Sequence, residues 1–348
     1  MAKKVSKHSN SNVSPIEPID RIIATSFDVA RRAGVSQSTV ARVFGRPSLV
    51  SSVTRARVID AAESLGYVPS AIAGGMRSQR SGLVGVVVPS AGEYWQGVIS
   101  EFARQVSESA RQLLVTTFDD SDGVASAIRS ISRYRLDGVV LASSSINLNE
   151  IVQLSQSNTP VVAFNQPAAS GLVATVSVDN QHGSTLVAEH LLQRRVKSVV
   201  FVGGIAKAST DQLRYRGAVE TFSAQGVSCK YVEAGAFSYE AGFKIGSDAA
   251  DGNALPNVYM VAADEIAFGV LDGLRKRGVQ VPRDVYVTGF DGVPQSFWEG
   301  YDLTTLVQPI KLMVSSVLRL LGSSQARDAV ITEGELRLGS STSGGHGG

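Results

Sequence analysis

The sequence predicts an α/β protein with a small helical head at the N-terminus and a body of two lobes, each built on a parallel sheet. Between residues 25 and 66, three short segments have helical apolar spacing, whereas beyond residue 81 short apolar runs alternate with helical stretches. Because parallel strands need crossover connections, this alternation indicates parallel sheets that are covered on both faces. The pattern restarts near Asp179, and a body of about 250 residues is too large for one small open sheet, so we expect two lobes.

The three segments of the head have recognisable helix starts. Thr25 can cap the first helix with Asp28 three positions later, in the manner of a capping box, and Gly34 ends that helix. Ser36 can cap the second helix and Ser51 the third. Because only a glycine-valine step separates the first helix from the second cap, the segment is typical of a helix-turn-helix.

In the body, seven apolar runs are predicted to be buried strands. Most of them are separated by helical stretches, as in a doubly wound sheet. The predicted strands are Leu83–Val88, Leu114–Phe118, Gly138–Ala142, Val161–Phe164, Val199–Gly203, Val258–Ala262 and Val285–Gly289.

Charge is distributed unevenly along the chain. Residues 1–80 contain 12 Lys and Arg against 5 Asp and Glu, whereas residues 81–348 contain 21 against 26. A basic head on an acidic body indicates a polyanionic partner, most often nucleic acid, because neutralising phosphates releases counterions. A solvated basic tail would have the same composition, so charge alone leaves both interpretations open.

Composition excludes several classes of protein. With 43% hydrophobic and 18% charged residues, the chain is typical of a folded globular protein. A single cysteine, Cys229, excludes a disulfide framework and a cysteine zinc finger. The sequence has no apolar run long enough to span a membrane and no secretory signal, so we expect a cytoplasmic protein that does not contact membranes.

Motifs for catalysis are missing from the sequence. It has no G-x-S-x-G elbow, no phosphate-binding P-loop and no dinucleotide fingerprint, so we expect neither an enzyme nor a cofactor. The acidic residues at 119–122 could hold Mg²⁺, but capping of the following helix is the favoured interpretation. His182 and His190 are too far apart to share a metal from one helical turn, and Cys229 is expected to be a half-buried thiol on a strand.

Residues 27–44, FDVARRAGVSQSTVARVF, resemble the DNA-binding head of the lactose-repressor (LacI/GalR) family of bacterial transcription regulators. The resemblance covers roughly residues 25–342. It continues through VSSVTRARVIDAAESLGYVPS, LDGVVLAS, PVVAFNQ, VSVDNQHGSTLVAEHLL, RYRGAVETF, DVYVTGFDGV, LTTLVQP and LGSSTS. It implies a helix-turn-helix head, a hinge and a two-lobed body like that of periplasmic binding proteins.

The expected domains follow from this resemblance. They are a disordered leader (1–24), the head (25–68), the hinge (69–80), the body (81–340) and a flexible tail (341–348). The first lobe is expected to contain residues 81–178 and 309–322, and the second lobe residues 179–308 and 323–340.

The second helix of a helix-turn-helix lies in the major groove and reads base edges. Gln37 suits adenine and Arg42 suits guanine, although both could also lie on a solvated polar face. Ser38 is a further candidate for base reading. The hydroxyl residues are expected to be phosphate anchors or helix caps. They are Thr25, Ser36, Thr39 and Thr54.

The resemblance implies that residues 69–76 form a hinge that folds on DNA and inserts a side chain into the minor groove. Ser70, Ala73 and Met76 are its expected DNA contacts. Ser70 and Met76 depart from the usual Asn and Leu, and Gly74 and Gly75 each disfavour a helix by about 1 kcal/mol. The segment could alternatively be a plain flexible linker.

The resemblance also implies a small-molecule effector, for example a sugar, bound between the lobes. Arg214 and Asp291 are the expected polar clamps for hydroxyls or an anionic group, although a surface ion pair and a loop cap are the alternatives. The other expected contacts are Tyr94, Trp95, Asn165, Phe237 and Asp264, of which the aromatic residues could be core instead. Ala263 replaces the usual Asn before Asp264.

Together these features predict a transcriptional repressor that binds a palindromic DNA operator under the control of an effector. A single recognition helix contacts few bases, so we expect at least a homodimer. Its interface is expected beside the first lobe, near residues 99–110 and 124–134. A solute-binding protein and an enzyme on the same bilobed fold are the alternatives, and the head argues against both.

Overall fold

The computed structural model describes residues 24–68, 81–119, 121–142, 159–166, 173–249, 255–323 and 328–344. The chain divides into two units, Met1–Gln79 and Arg80–Gly348, and each is described here by itself. The leader up to residue 23 and the expected hinge contacts Ser70, Ala73 and Met76 lie outside the described residues.

Residues 24–68 of the N-terminal unit form three α-helices: α1 (Ser26–Ala33), α2 (Gln37–Gly45) and α3 (Ser52–Ser64). Their apolar faces form one small core. It contains Val29, Ala30, Ala33, Val40, Val43, Val58, Ala61 and Ala62. The predicted three-helix head is therefore confirmed.

Side-chain caps fix the helix starts in this unit. Thr25 and Asp28 form a capping box, in which the Thr25 N–H donates to Asp28 Oδ2 at 3.0 Å and the Asp28 N–H to Thr25 Oγ1 at 3.4 Å. Ser36 and Ser51 cap α2 and α3 through the backbone N–H groups of Thr39 and Thr54. All three predicted caps are confirmed.

In the described parts of the body, twelve strands form two six-stranded sheets. In chain order they are β1 (Leu83–Pro89), β2 (Gln112–Phe118), β3 (Gly138–Ala142), β4 (Val161–Phe164), β5 (Ala174–Val178), β6 (Ser198–Gly203), β7 (Ser228–Glu233), β8 (Val258–Val261), β9 (Tyr286–Asp291), β10 (Thr304–Val307), β11 (Ala329–Thr332) and β12 (Glu335–Arg337). The first sheet has the order β11-β5-β4-β3-β1-β2 and the second β12-β10-β9-β8-β6-β7. All described pairs are parallel except β10 with β12.

Helices cover these sheets. In chain order they are α4 (Glu93–Glu108), α5 (Ser121–Ile131), α6 (Asn180–Gln193), α7 (Ser209–Ser223), α8 (Tyr239–Asp248), α9 (Asp264–Lys276) and α10 (Ile310–Leu321). Val86 of β1 packs in the core that α4 and α10 share, whereas Val87 packs in the core beside α5. Successive side chains on a strand point to opposite faces, so the first sheet is buried on both sides, as the apolar runs predict.

The last strands correct the predicted lobe boundaries. Residues 323–340 were assigned to the second lobe, but β11 pairs with β5 of the first sheet, in the register Ala329 with Thr175. Only β12 joins the second sheet. The last passage between the sheets therefore lies between Thr332 and Glu335 rather than near residue 323, and each sheet receives one edge strand from this segment.

The C-terminal segment is also more ordered than predicted. Residues 341–348 were expected to be a flexible tail, yet Ser341 and Thr342 are buried in a short 3-10 helix. The Thr304 N–H donates to Ser341 Oγ at 2.8 Å, and Thr342 Oγ1 lies 2.9 Å from His190 Nε2. Buried hydrogen bonds fix this segment as far as Gly344, whose carbonyl accepts from the Tyr286 hydroxyl at 2.7 Å.

Other predicted features are also placed by the structure. Cys229 lies half-buried on β7, as expected, and burial raises the pKa of its thiol to about 11. Within the described parts of the chain, no three His, Cys, Asp or Glu residues are grouped to hold a metal, and no helix is long and apolar enough to cross a membrane.

Candidate functional site

The first of two candidate sites is the start of α2 in the head. Gln37 and Arg42 are exposed, and Ser38 and Thr39 are half-buried. The first turn of α2 contains no acidic residue, so the positive end of the helix dipole is free to face an anion. The Gln37 amide donates to Ser26 Oγ at 2.8 Å and would have to leave this partner to reach a base.

Hydroxyl groups around α2 and α3 serve mainly as caps in the free head. Ser36 Oγ lies 2.8 Å from Ser38 Oγ and 2.9 Å from Thr39 Oγ1. Thr54 Oγ1 accepts from Ser51 Oγ at 3.0 Å. Capping and phosphate contact are compatible, since a hydroxyl can both donate and accept. Arg42 is therefore the predicted base-reading side chain with the fewest competing contacts.

Six arginines in the described part of the head are exposed, and sequence reasoning singled out only Arg42 among them. Their exposure on a three-helix unit makes a basic surface that suits a phosphate backbone. The arginines are Arg31, Arg32, Arg42, Arg46, Arg55 and Arg57.

The second candidate site is a cavity of about 720 Å³ between the two sheets of the body. It lies at the carboxyl ends of strands from both sheets, which is where open α/β sheets bind ligands. Six of the seven predicted effector contacts line it. They are Tyr94, Trp95, Asn165, Arg214, Phe237 and Asp291.

Arg214 of α7 is the centre of a buried polar network. The residue is 3% exposed, which rules out the alternative of a surface ion pair. Its Nε donates to Asn180 Oδ1 at 2.8 Å, and Nη1 donates to the Ala262 carbonyl and approaches Asp291 Oδ1 at 3.5 Å. The guanidinium also lies 3.7 Å from the centre of the Phe290 ring. These contacts hold the guanidinium in one orientation at the cavity wall.

Asp291 ends β9 beside this network. Gln308 Nε2 donates to its Oδ1 at 2.7 Å. Burial raises the pKa of Asp291 against the lowering effect of Arg214, and the neighbouring Asp264 carboxyl adds to the rise. Its φ of 133° costs a non-glycine residue about 1–3 kcal/mol, a strain that is common in binding sites.

Asp264 does not line the cavity, contrary to the prediction. It is fully buried, and its Oδ2 accepts from the N–H groups of Gly292 at 2.8 Å and Val293 at 3.0 Å. Its Oδ1 accepts from the Thr305 hydroxyl at 2.5 Å. The carboxylate therefore fixes the loop after β9, and Glu265, the next residue along α9, faces the cavity instead.

Asn165 and Phe237 lie on opposite walls of the cavity. Asn165 follows β4, is 5% exposed, and its Oδ1 has no hydrogen-bond partner among the described residues. Phe237 is half-buried, and its ring lies against Gly204, where an added Cβ would come within 2.6 Å of it. A glycine at this position therefore lets the aromatic ring form the wall.

Tyr94 and Trp95 begin α4 and form the wall from the first lobe. Their ring centres lie 4.9 Å apart in an edge-to-face arrangement. The Tyr94 hydroxyl donates to Gln308 Oε1 at 3.0 Å, so Tyr94 is both a core residue and a cavity residue. Both interpretations from the sequence therefore apply to Tyr94.

Sequence reasoning missed Glu265, Lys207 and Thr210, all of which line the cavity. Glu265 is half-buried, and the Glu93 N–H at the start of α4 donates to its carboxylate, so it links the two lobes. Glu265 could have been found from its place in the sequence, because it lies at the start of a helix that follows a strand. In a parallel sheet, such helix starts lie at the edge where ligands bind.

Two known protein families match this chain, one in the head and one in the body. Residues 27–70 match the family described as "Bacterial regulatory proteins, lacI family". Residues 188–341 match the family described as "Periplasmic binding protein-like domain". The first match contains the candidate DNA-reading helix, and the second contains much of the cavity wall.

Curated relatives align along most of the chain. Catabolite control protein A of Priestia megaterium is 27% identical over 315 residues, which cover 88% of this chain and 94% of that protein. The ribose operon repressor of Halalkalibacterium halodurans is 27% identical over 304 residues, which cover 86% and 89%.

Solved structures share the fold. A Lac repressor dimer bound to operator and the anti-inducer ONPF has a TM-score of 0.81 at 22% identity, covering 92% of this chain and 99% of that one. The regulator CelR in complex with cellobiose has a TM-score of 0.67 at 24% identity, covering 91% and 99%. The chain therefore contains a LacI-family DNA-binding domain at residues 27–70 and a periplasmic-binding-protein-like domain at residues 188–341.

Proposed function

We propose that the protein is a sequence-specific transcriptional repressor whose affinity for DNA is controlled by a small molecule bound in the cavity. One observation carries this proposal: the same chain contains a helix-turn-helix with exposed Gln37 and Arg42 and a body whose cavity is lined by residues of both lobes. A ligand that contacts both walls would bind one lobe arrangement better than another, which is the requirement for coupling.

We further propose that the protein binds DNA as a homodimer and acts in the cytoplasm, where the chromosome is accessible. Two heads related by a two-fold axis would read a palindrome. The Lac repressor dimer with operator, which shares the fold, supports this assembly. A solute-binding protein would have no use for the basic head, so regulation is proposed.

Selection of duplexes from a randomised DNA library by the full-length protein tests the proposal. We expect enrichment of a palindrome of about 14–20 base pairs at near-physiological salt. Arg42→Ala should lower affinity for the selected duplex by about tenfold or more and relax one position of the consensus. Arg31→Ala, an exposed arginine on α1, should lower affinity for all sequences alike. Binding without any consensus would contradict the proposal.

A further inference from the structure

The cations at the cavity are poorly placed to bind an anion. The Arg214 guanidinium already donates to Asn180, Ala262 and Asp291 and lies over an aromatic ring. Lys207 is exposed, so its ammonium is hydrated and screened by salt. These Arg214 hydrogen bonds use Nε and Nη1, and its charge is already balanced by the buried Asp291 carboxyl, while Lys207 offers no desolvated charge.

The helix starts around the cavity are also closed to anions. Residues at the starts of α4, α7, α8 and α9 lie around the cavity. A helix N-terminus attracts negative charge, but each of these four helices already has an acidic residue in its first turn. These residues are Glu93 in α4, Asp211 in α7, Glu240 in α8, and Asp264 and Glu265 in α9. The positive ends of the helix dipoles are therefore already neutralised by the chain itself.

Two buried polar groups that face the cavity, one on each lobe, can accept hydrogen bonds. Asn165 Oδ1 is buried and has no partner in the described part of the chain, and such an atom costs about 1–3 kcal/mol unless a donor reaches it. The Asp291 carboxylate is a second buried acceptor on the facing lobe. A ligand that satisfies both must bring hydrogen-bond donors.

Glu265 adds negative charge at the same place. Burial raises the pKa of Glu265, and the nearby carboxylates of Glu93, Asp291 and Glu240 add to the rise. A Cβ atom added to Gly92 of the first lobe would lie 3.2 Å from Glu265 Oε2. The Glu265 carboxylate therefore lies between the two lobes. An anionic ligand would have to approach this group closely, and the buried cation of the cavity lining, Arg214, is already paired with Asp291.

We infer that the cavity selects a ring compound that presents hydroxyl or amino donors and carries no anionic group, with Glu265 as the residue that excludes anions. Tyr94, Trp95 and Phe237 provide flat apolar walls for the faces of such a ring. This inference rests on the proposed function, because it assigns chemistry to the ligand of the same cavity.

Calorimetric titration of the full-length protein with matched compounds tests the selection. The probes are D-glucose, D-glucosamine, D-gluconate and D-glucose 6-phosphate, with D-ribose and D-ribose 5-phosphate as a second series. We expect an uncharged or amino compound of at least one series to bind, and its anionic counterparts to bind at least about tenfold more weakly. The amino sugar distinguishes an ammonium donor from a hydroxyl donor. An anionic compound that binds as tightly as its parent, or no binding by any uncharged or amino compound, would overturn the inference.

Glu265→Gln tests the residue assignment. The amide oxygen of glutamine can still accept from the Glu93 N–H, so the change removes charge while keeping that hydrogen bond. The preference for the neutral over the anionic compound should fall about tenfold. Glu240→Gln is the matched control, since it removes one charge nearby from an exposed residue outside the cavity lining, and it should change the preference by less than about twofold.

Two outcomes separate this inference from the proposed function. An unchanged preference in Glu265→Gln, or an equal change in Glu240→Gln, would overturn the role of Glu265. Because calorimetry involves no DNA, charge selection can be observed even in a protein that enriches no DNA consensus. A failure of DNA selection would therefore leave this measurement intact.

Discussion

The two lobes of the body have equivalent strand orders but contribute different chemistry to the cavity. The second lobe supplies a network of charged side chains, with Arg214, Asp291 and Asp264 all buried. The first lobe supplies an aromatic wall, in which Tyr94 and Trp95 lie at the start of α4, together with the uncharged Asn165. Topology therefore determines where the cavity lies, while the residues at the strand ends determine what each wall can do.

This difference suggests a division of labour between the walls. Hydrogen bonds within the second lobe fix Arg214 and Asp291 before any ligand arrives, which lowers the entropy cost of binding. The aromatic wall has fewer polar contacts of its own and can cover the ring of a ligand as the lobes approach. Binding affinity should depend on both walls, but the stability of the body should depend mainly on the second.

The strongest way to break this comparison is to remove the central cation. Arg214→Ala leaves buried carboxylates and the Asn180 and Ala262 acceptors without their donor, so we expect a loss of about 3–5 kcal/mol in the free energy of unfolding. Urea denaturation measures it. Arg216→Ala, an exposed arginine on the same helix, is the control and should change stability by less than about 0.5 kcal/mol. Equal effects of the two substitutions would contradict the buried network.

The pH dependence of the free energy of unfolding tests the carboxyl groups of the same network. Burial raises the pKa of Asp264 from 3.8 to about 6. Because the folded state holds this proton more tightly, the stability contributed by the group is present at low pH and is lost as pH rises from about 4 to about 6. Asp264→Asn removes this titration. The free energy of unfolding of the variant minus that of the unsubstituted protein should therefore increase by about 2 kcal/mol as the pH rises from about 4 to about 6. A difference that is independent of pH would argue against a buried, protonatable carboxyl.

The aromatic wall should affect ligand binding more than stability. Trp95 is half-buried at the cavity, and Trp95→Ala should weaken the binding of a ring ligand by about tenfold, because stacked area is lost. Trp298→Ala serves as the control, since Trp298 is 58% exposed and outside the cavity lining. Calorimetry with the best-binding neutral sugar measures both variants. Unchanged affinity in Trp95→Ala would remove the first lobe from the binding site.

The smallest expected effect concerns the link between the aromatic wall and the segment after β10. Tyr94→Phe removes the hydrogen bond to Gln308 Oε1 and should lower the free energy of unfolding by about 1 kcal/mol. Tyr134→Phe, at an exposed tyrosine, should have no measurable effect in the same denaturation experiment. If both substitutions are neutral, the Tyr94 hydroxyl does not help to hold the wall in place.

The head could be predicted from sequence almost completely. Thr25, Ser36 and Ser51 are caps in the structure as they are in the prediction, because a cap depends on residues only three positions away. The apolar spacing of short helices is equally local.

The lobe boundaries depended instead on contacts distant in sequence. Ala329–Thr332 is an edge strand with partly exposed residues, so its pattern is weak, and its partner β5 lies far away in the chain. The order of the C-terminal segment depends on Thr304 and His190, which are also distant. No local rule could anticipate either pairing.

The cavity was predicted at the level of strand ends but not of each side chain. On a helix, neighbouring residues point about 100° apart, so the start of α9 decides whether Asp264 or Glu265 faces the ligand. In the structure, the backbone N–H groups of Gly292 and Val293 turn the Asp264 carboxylate inward. That choice depends on a loop that sequence spacing does not position.

Coupling between the cavity and DNA is the central claim of this account. The most direct test measures the affinity of the full-length protein for its selected duplex, with and without saturating amounts of the panel compound that binds the cavity best. We predict a change of about fivefold or more, with the same factor appearing in the affinity for the compound when the duplex is added. Equal affinities in the two conditions would show that the cavity does not control the head and would contradict the account.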